Sequence, residues 1–432
     1  MPWPVKPTNH LSKLAIVLFT SLVILSSAAS CTLFGGQSVN LGVLKRDNPD
    51  GKGYKFNFIN TERKYTGEIK TNSLSTASGL KIVQTNRNNL YLLTEKNGFF
   101  RTTDGGQNWE RKYLFAFEST SSDRRQIQRD INSWLQKNDR FIGTDFTVNP
   151  FNQEIVYLAG QFEDFGRIFK TENGGNTFRL IYSGIEPKGF VRFVSTDPND
   201  PQRVFAVTGQ NTVISSDNGG ETWEKLYTFE GKTIVQLGFY SDESESLFVL
   251  LKKEGLAISE DLGKTWEITS LTKDKQLLSE KPKGIFGRTT NQNDSKFVEY
   301  EKIIPINKGE YWLLIADDNL WFSDSLSNTF LKMLLPTEAK KYEIYDVAVY
   351  PREAPERMLV AINDKLYESK DGGRTWNAED RIGLSKPIGN IGQILIDSSN
   401  EEIIYLMLVN KQVTRQDGLY QKIGSGGLFK NS

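Results

Sequence analysis

Hydrophobic and polar residues alternate along most of this chain in short runs that are separated by tight polar turns. One unit shows the pattern clearly, with IVQLGFY (234–240), SLFVLL (246–251), GLAIS (255–259) and TWEIT (265–269) in succession. Period-two alternation rich in β-branched and aromatic residues predicts strands, and the polar or Gly-containing turns between them predict hairpins. Four short strands joined in this way predict one antiparallel blade of a larger repeat protein.

The same unit recurs along the chain, and its third strand is the easiest part to recognise. The copies of that strand are NGFFRT, GRIFKT, NTVISS, GLAISE, NLWFSD, KLYESK and DGLYQK (417–422). The last unit lacks a fourth strand, which YKFNF (54–58) could supply, so that the ring closes and leaves no open sheet edge. The sequence therefore predicts an all-β fold, a seven-bladed β-propeller of four-stranded antiparallel blades over residues 54–430, with a short helical insertion.

A fixed frame follows each third strand: Ser or Thr, any residue, Asp or Asn, any residue, Gly, any residue, Thr or Asn, then Trp or Phe. Its key positions are Asp104, Gly106, Trp109, Asn173, Gly175, Phe178, Asn218, Gly220, Trp223, Asp261, Gly263, Trp266, Asp371, Gly373 and Trp376, and a worn copy begins at Ser323. We expect the Asp or Asn to accept hydrogen bonds from backbone N–H groups two or three residues on, and the Gly to adopt a positive φ. We expect the aromatic side chain to be buried against the neighbouring sheet.

This frame has a structural and a chemical interpretation. The structural one is that each blade needs the same hairpin closed. The alternative is that the Asp residues bind a metal or a substrate. A catalytic group is needed once per site rather than once per blade, so the repetition favours the structural role, and no metal or cofactor is expected.

The frame resembles the Asp-box, or BNR repeat, of sialidases, xyloglucanases, sortilin-type propellers and the photosystem II stability/assembly factor. The resemblance covers six of the seven units and implies a propeller, but these families have unrelated functions. The Arg-Ile-Pro signature of sialidases is absent, since GRIFK (166–170) lacks the Pro. The resemblance to the assembly factor implies a non-enzymatic chaperone for a membrane-protein intermediate that works through a basic face.

The N-terminus has the pattern of an export signal. Lys6 and Lys13 precede an apolar run from Leu14 to Leu25, and small residues then lead to Cys31. The stretch SSAASC resembles a bacterial lipobox, so we expect a signal peptide at residues 1–30, acylation of Cys31 and a tether over residues 31–53. The alternative is ordinary cleavage that leaves Cys31 unmodified. Acylation would place the protein on the periplasmic or cell-surface side of a membrane.

Composition narrows the chemistry that the predicted mature chain can perform. The whole chain has 53 basic and 53 acidic residues, so no overall field favours nucleic acid. Residues 1–30 contain the only histidine, and Cys31 is the only cysteine. Disulfides, nucleophiles that depend on Cys or His and the usual zinc sites are therefore excluded from the mature chain. A glycosidase with paired carboxylates remains open, because many Asp and Glu residues are present.

Two long insertions are predicted at about 114–142 and 270–297, and both connect a fourth strand to the next first strand. Long loops in a compact fold are usually functional or disordered. Both are basic, and the first has a helical apolar stripe at Ile127, Ile131, Trp134 and Leu135. The stripe could pack on the propeller with its charges merely solvated, or form a docking helix. The second interpretation makes Arg124, Arg125, Arg129, Trp134, Lys281, Lys283 and Arg288 candidate partner-binding residues, for an acidic protein segment or anionic lipid.

The sequence thus predicts a monomeric, lipid-anchored, extracytoplasmic binding or assembly module and favours a non-enzymatic function. Its expected partner is a protein, for which an acidic segment of a membrane protein is one candidate. The alternatives are a carbohydrate-active hydrolase with paired carboxylates, and a cell-surface adhesion or receptor domain.

Overall fold

The computed structural model describes residues 42–47, 55–58, 79–94, 98–118, 122–240, 246–273, 297–324, 329–336, 343–379, 390–409, 413–416 and 419–422. The predicted signal peptide, Cys31 and most of the predicted tether lie outside these ranges. Within them, none of the helices combines the length and the apolar character that a membrane span requires.

Six blades are each built from four consecutive strands. The first two described strands are β1 (Gly42–Asp47) and β2 (Lys55–Phe58). Blade 1 is β3 (Gly79–Gln84), β4 (Leu90–Thr94), β5 (Gly98–Thr102) and β6 (Glu110–Lys112). Blade 2 is β7 (Ile142–Val148), β8 (Val156–Phe162), β9 (Phe165–Thr171) and β10 (Arg179–Ser183). Blade 3 is β11 (Val191–Thr196), β12 (Val204–Thr208), β13 (Thr212–Ser216) and β14 (Glu224–Thr228). Helix α1 (Arg124–Asp139) lies between blades 1 and 2.

The remaining blades follow the same order. Blade 4 is β15 (Ile234–Phe239), β16 (Leu247–Leu251), β17 (Gly255–Ser259) and β18 (Glu267–Thr269), and β19 (Thr272–Lys273) follows it. Blade 5 is β20 (Tyr300–Ile306), β21 (Tyr311–Ala316), β22 (Asn319–Ser323) and β23 (Thr329–Lys332), with β19 added in parallel to its outer strand. Blade 6 is β24 (Ile344–Val349), β25 (Met358–Ile362), β26 (Lys365–Ser369) and β27 (Asn377–Ala378). A short 3-10 turn at Asn307–Gly309 joins β20 to β21.

The prediction of a seven-bladed propeller is wrong, because the described residues contain six blades of four consecutive strands. The seventh predicted unit contributes just β28 (Asn390–Ile396) and β29 (Ile404–Val409), which pair with β1 and β2 in the order β2-β1-β29-β28. We call this composite the closing sheet. Within the predicted third strand, DGLYQK, Leu419–Lys422 form β31, which pairs with β30 (Val413–Gln416) in a separate hairpin.

The strand β1 lies N-terminal to the predicted start of the propeller. It lies inside the segment predicted as a tether, yet it pairs with β29 from Gly42 opposite Leu408 to Arg46 opposite Ile404. The closing sheet therefore includes residues that precede the predicted boundary at residue 54. The predicted outer strand at 54–58 is present as β2, at the outer edge of the closing sheet.

The hydrophobic core is divided among the junctions between neighbouring sheets. Phe205 and Val207 of blade 3, for example, share a buried cluster with Leu247 and Val249 of blade 4. The largest cluster joins blade 6, the closing sheet and blade 1. Each sheet is thus covered on both faces by its neighbours, and the ring is completed by strands from the two ends of the chain.

The inner strands are tied together by polar side chains that cross the junctions. Gln393 of the closing sheet exchanges two hydrogen bonds with the backbone of Ile82 in blade 1, at 2.8 and 2.9 Å. Gln236 of blade 4 does the same with Ile303 of blade 5, at 2.9 Å in both directions. Each of these glutamines follows a β-bulge in its strand. The bulge re-aims the side chain towards the next blade.

Buried carboxylates form equivalent ties at other junctions. Asp346, with 2% of its surface exposed, accepts hydrogen bonds from Lys302 of blade 5 and from the N–H of Ile394 in the closing sheet. Asp145 links Lys81 of blade 1 to the N–H of Val194 in blade 3 in the same manner.

We predict that Gln393→Ala destabilises the ring at its closure. The substitution removes two hydrogen bonds and leaves a backbone N–H and C=O of Ile82 without their partner, a cost of about 2–4 kcal/mol. Gln236→Ala is the matched variant, because it removes the same two bonds between consecutive blades. Denaturant unfolding should show a similar loss for both variants.

Hydrogen exchange distinguishes the two positions. Gln393→Ala should accelerate exchange most in β28, β29 and β3, and Gln236→Ala most in β15 and β20. Unchanged stability in both variants would show that these bonds do not hold the ring together.

Candidate functional site

The chain direction gives the propeller two different faces. The turns between third and fourth strands, with those between first and second strands, lie on what we call the turn face. The connections from each fourth strand to the next first strand lie on the opposite side, the connection face, together with the turns between second and third strands. The insertion that contains α1 leaves blade 1 on the connection face, and the described start of the second insertion, β19, follows the fourth strand of blade 4.

The repeated frame closes the hairpins of the turn face. In blade 4, Asp261 Oδ1 accepts the N–H of Thr265 at 2.8 Å, and Asp261 Oδ2 accepts the Thr265 hydroxyl at 2.6 Å. Ser259 Oγ donates to Asp261 and accepts the N–H of Gly263 at 2.7 Å. The same arrangement occurs in the frames that contain Asp104, Asn173, Asn218 and Asp371.

Two details of the frame differ from the sequence prediction. The main acceptor contact is to the N–H four residues on rather than two or three, although Asp261 also accepts the N–H of Lys264 at 3.1 Å. In addition, two consecutive residues adopt a positive φ, where only the second was expected. In blade 4 these are Leu262 at 60° and Gly263 at 88°. The left-handed backbone conformation is unfavourable for leucine, so this hairpin carries strain at Leu262 that a glycine would relieve.

The aromatic residue that ends each frame packs towards the preceding blade. Trp223 donates its indole N–H to the carbonyl of Ile181, in the outer strand of blade 2, at 3.1 Å. Trp266 packs edge to face on Phe229 at 5.2 Å between ring centroids. Phe178 meets Phe99 of blade 1 at 6.3 Å. Trp109 is 4% exposed, and Trp376 packs against the cluster between blades 5 and 6.

The frame residues are thus occupied in local hydrogen bonds and packing. In the worn copy, Ser323 donates to the carbonyl of Thr329 at 3.0 Å, and residues 325–328 lie outside the described part of the chain. Within the described ranges, no three His, Cys, Asp or Glu side chains are grouped so that they could hold a metal ion.

Helix α1 is attached to the propeller through one side. Asp123 caps its N-terminus by accepting the N–H of Gln126 at 2.8 Å. Ile131 is 5% exposed, and Trp134 donates its indole N–H to the carbonyl of Phe115 at 2.6 Å. Asn138 is buried and accepts the N–H of Phe115 at 3.1 Å. The apolar stripe therefore packs on the segment that leads out of blade 1.

Ion pairs and ring contacts at the C-terminal end of the helix reinforce this attachment. Arg111 of β6 pairs with Asp139 at 2.5 Å, and Arg140 pairs with Glu163, in a turn of blade 2, at 2.6 Å. Lys137 lies 4.2 Å from the centroid of the Phe115 ring. The helix is therefore held between blades 1 and 2.

The opposite side of α1 presents basic residues. Arg125 and Arg129 are exposed, and Arg129 donates to the side chain of Gln126 within the helix. Arg124 is the first residue of the helix, and its side chain lies outside the described part. The candidate Trp134 differs from the arginines, because its ring packs 4.4 Å from Tyr113 and its N–H is used. It also lines a shallow groove of about 240 Å³ with Phe115, Glu118, Asp130 and Lys137.

Only the two ends of the second insertion are described. Lys273 pairs with Asp317 at 2.7 Å before the insertion, and Phe297 packs edge to face on Trp321 at 4.9 Å after it. These contacts, which the sequence analysis missed, fix both ends on blade 5. The candidates Lys281, Lys283 and Arg288 lie outside the described residues.

The turn face carries a cavity of about 380 Å³ lined by Lys170, Glu172, Asn173, Thr177, Phe178 and Arg179. Its charges are paired within the protein. Lys170 bonds to Glu172 at 2.6 Å and lowers the pKa of that carboxyl, and Arg179 lowers the pKa of Glu221 in the same way. A glycosidase acid instead needs a raised pKa, so these carboxylates are unsuited to that role.

No protein-family model matches this chain, and no curated protein matches it. The comparison with solved structures identifies the fold class as a β-propeller. The GH74 xyloglucanase from Xanthomonas campestris aligns with a TM-score of 0.56 and 16% identity over 78% of this chain and 52% of that chain. The GH74 enzyme from Niastella koreensis gives 0.55 and 16% over 77% and 51%. This chain thus spans about half the length of either GH74 chain.

Two structures of YCF48 match over nearly their whole length. YCF48 bound to D1 peptide aligns with a TM-score of 0.52 and 17% identity over 78% of this chain and 94% of that chain. YCF48 from Cyanidioschyzon merolae aligns with a TM-score of 0.52 and 15% identity over 77% and 96%. Identities this low show a shared fold and no more.

We predict that Asp261→Ala lowers stability by about 1–2 kcal/mol through loss of the hydrogen bonds that close the blade 4 hairpin. Asp261→Asn should retain most of that stability, because Asn218 makes the equivalent bonds in blade 3. Thermal unfolding of both variants at neutral pH checks this. An Ala variant as stable as the wild type would contradict the structural role.

The pH dependence of the same contribution has a defined sign. Hydrogen bonds from the side chain and the N–H of Thr265 lower the pKa of Asp261 from 3.8 to about 2. A carboxyl with a lowered pKa stabilises the folded state fully above its ordinary pKa and loses that effect as the pH falls through the folded value. The difference in stability between wild type and Asp261→Ala should therefore shrink between about pH 4 and pH 2.

Proposed function

We propose that this protein is a membrane-anchored, extracytoplasmic binding module whose connection face docks a protein partner. The partner class that fits best is an acidic segment of a membrane protein. The observation that carries the proposal is the arrangement of α1, which is fixed on the propeller through its apolar side and exposes Arg125 and Arg129 on the other. A helix held in this way presents charges in a fixed geometry, which favours recognition of an opposite charge.

We also propose features that rest on the sequence alone. The hairpin frames are Asp-box repeats, residues 1–30 are an export signal, and acylated Cys31 anchors the chain on the outer side of a membrane. Arg124, Lys281, Lys283 and Arg288 extend the basic surface, and the protein acts as a monomer. The fold shared with YCF48 bound to D1 peptide supports a peptide-binding use of such a propeller.

The described residues give little support to a hydrolase function. The carboxylates whose pKa values are shifted are Asp104, Glu172, Glu221, Asp261, Asp371 and Asp397, and every shift is downwards. A general acid at neutral pH requires an upward shift. The non-enzymatic proposal rests on the fixed helix α1 and its exposed basic side rather than on these shifts.

We predict that reversing Arg124, Arg125 and Arg129 to Glu abolishes capture of the partner and leaves the thermal unfolding temperature close to that of the wild type. Charge reversal weakens binding by replacing attraction with repulsion, and Arg125 and Arg129 are exposed on the side of α1 that faces away from the propeller. The measurement is a crosslinked pull-down of tagged mature protein from its native membranes, followed by mass spectrometry.

The matched control is Arg374→Glu, because Arg374 is an exposed arginine on the turn face. It should leave capture unchanged. Equal capture by wild type and the triple variant would contradict the docking site. Hydrolysis of xyloglucan by the purified wild type would favour the enzymatic alternative instead.

A further inference from the structure

The direction of β1 shows on which face the N-terminal segment enters the propeller. In the closing sheet, β29 is the second strand and runs from the turn face to the connection face. Gly42 pairs with Leu408 near the end of β29, whereas Arg46 pairs with Ile404 at its beginning. Gly42, the first described residue, therefore lies on the connection face, where the preceding segment joins β1.

The most exposed apolar side chains lie on the same face. Ile185 is 84% exposed, Leu334 77% and Val298 71%. Ile185 lies between β10 and β11, Leu334 follows β23, and Val298 precedes β20, so all three are in connections from a fourth strand to the next first strand. Phe151, at 60% exposure, lies in the turn between β7 and β8 on the turn face and provides a comparison.

We propose that the connection face lies against the membrane and that Ile185, Leu334 and Val298 contact the lipid interface. This inference rests on the proposed function, because it assumes the anchor at Cys31. Single exposed apolar residues are ordinary on soluble proteins. Their position becomes informative here because the anchored end of the chain enters on the same face.

The length of the N-terminal segment makes this orientation favourable. Cys31 precedes Gly42 by eleven residues. A chain of that length spans at most roughly 40 Å when extended, and about 20 Å on average when flexible. An anchor so close to Gly42 holds the connection face near the headgroups. The turn face could meet the membrane only if the segment passed around the propeller.

Lipid contact and partner docking are compatible on this surface. Apolar side chains enter the boundary between headgroups and acyl chains, and basic side chains interact favourably with anionic headgroups. Arg125 and Arg129 are then close to the membrane plane. The docking surface would be within reach of a membrane protein's extracytoplasmic segment that lies beside the lipid.

The test uses site-specific fluorescence in the full mature, acylated protein. Cys31 is the only cysteine, so acylation leaves no competing thiol. Ile185→Cys, Leu334→Cys and the control Phe151→Cys are each labelled with an environment-sensitive nitrobenzoxadiazole probe. The labelled proteins are reconstituted in vesicles of phosphatidylethanolamine and phosphatidylglycerol, with and without a lipid that carries a nitroxide quencher. Thermal unfolding of each unlabelled variant confirms that it is folded.

The expected result is a blue-shifted emission at 185 and 334 that is largely quenched by the nitroxide lipid, with neither effect at 151. Vesicle-bound protein with equal emission at all three positions would overturn the orientation and leave partner docking intact. In that case the apolar side chains could instead serve the protein partner, which the pull-down addresses. Protein absent from the vesicle fraction would overturn both the anchor and this inference.

Discussion

The structure depends on one packing constraint: each blade is apolar on both faces, so the ring is stable only when every sheet has a neighbour on each side. The six blades of consecutive strands satisfy this among themselves at five junctions. The last gap is filled by the closing sheet, which draws strands from both ends of the chain. Gln393 and Asp346 tie that sheet to blades 1 and 6. Closure therefore couples the N-terminal and C-terminal segments to the stability of the whole domain.

The parts of the fold that could be predicted from sequence are those with local signals. The frame around Asp261 marks a hairpin because its hydrogen bonds span four residues, and the stripe at Ile131 and Trp134 marks a helix by its spacing. The closing sheet depends on pairing between residues more than 350 positions apart, as Gly42 and Leu408 show. DGLYQK resembles a third strand as closely as β1 does. Sequence pattern alone cannot rank two such candidates for one partner.

The same distinction applies to the candidate site. The exposure of Arg125 and Arg129 followed from the helical stripe, whereas the packing of Trp134 against Tyr113 required knowledge of the segment after β6. The polar residues of the inner strands were missed, although a signal existed: Gln236 and Gln393 lie among mostly apolar residues in their strands. Ile185 and Leu334 lie in connections without periodicity, so nothing in the sequence distinguished them from buried residues. Their proposed contact with lipid depends on the position of Gly42 on the same face.

The central claim is that the protein works by docking a partner on its connection face. Photo-crosslinking in native membranes tests this most directly, with a benzophenone amino acid placed at Arg129 on α1 or at Arg374 on the turn face. The account predicts one dominant crosslinked membrane protein from position 129 and none from position 374. Crosslinks of equal yield and identity from both positions, or a specific partner from position 374 alone, would contradict it.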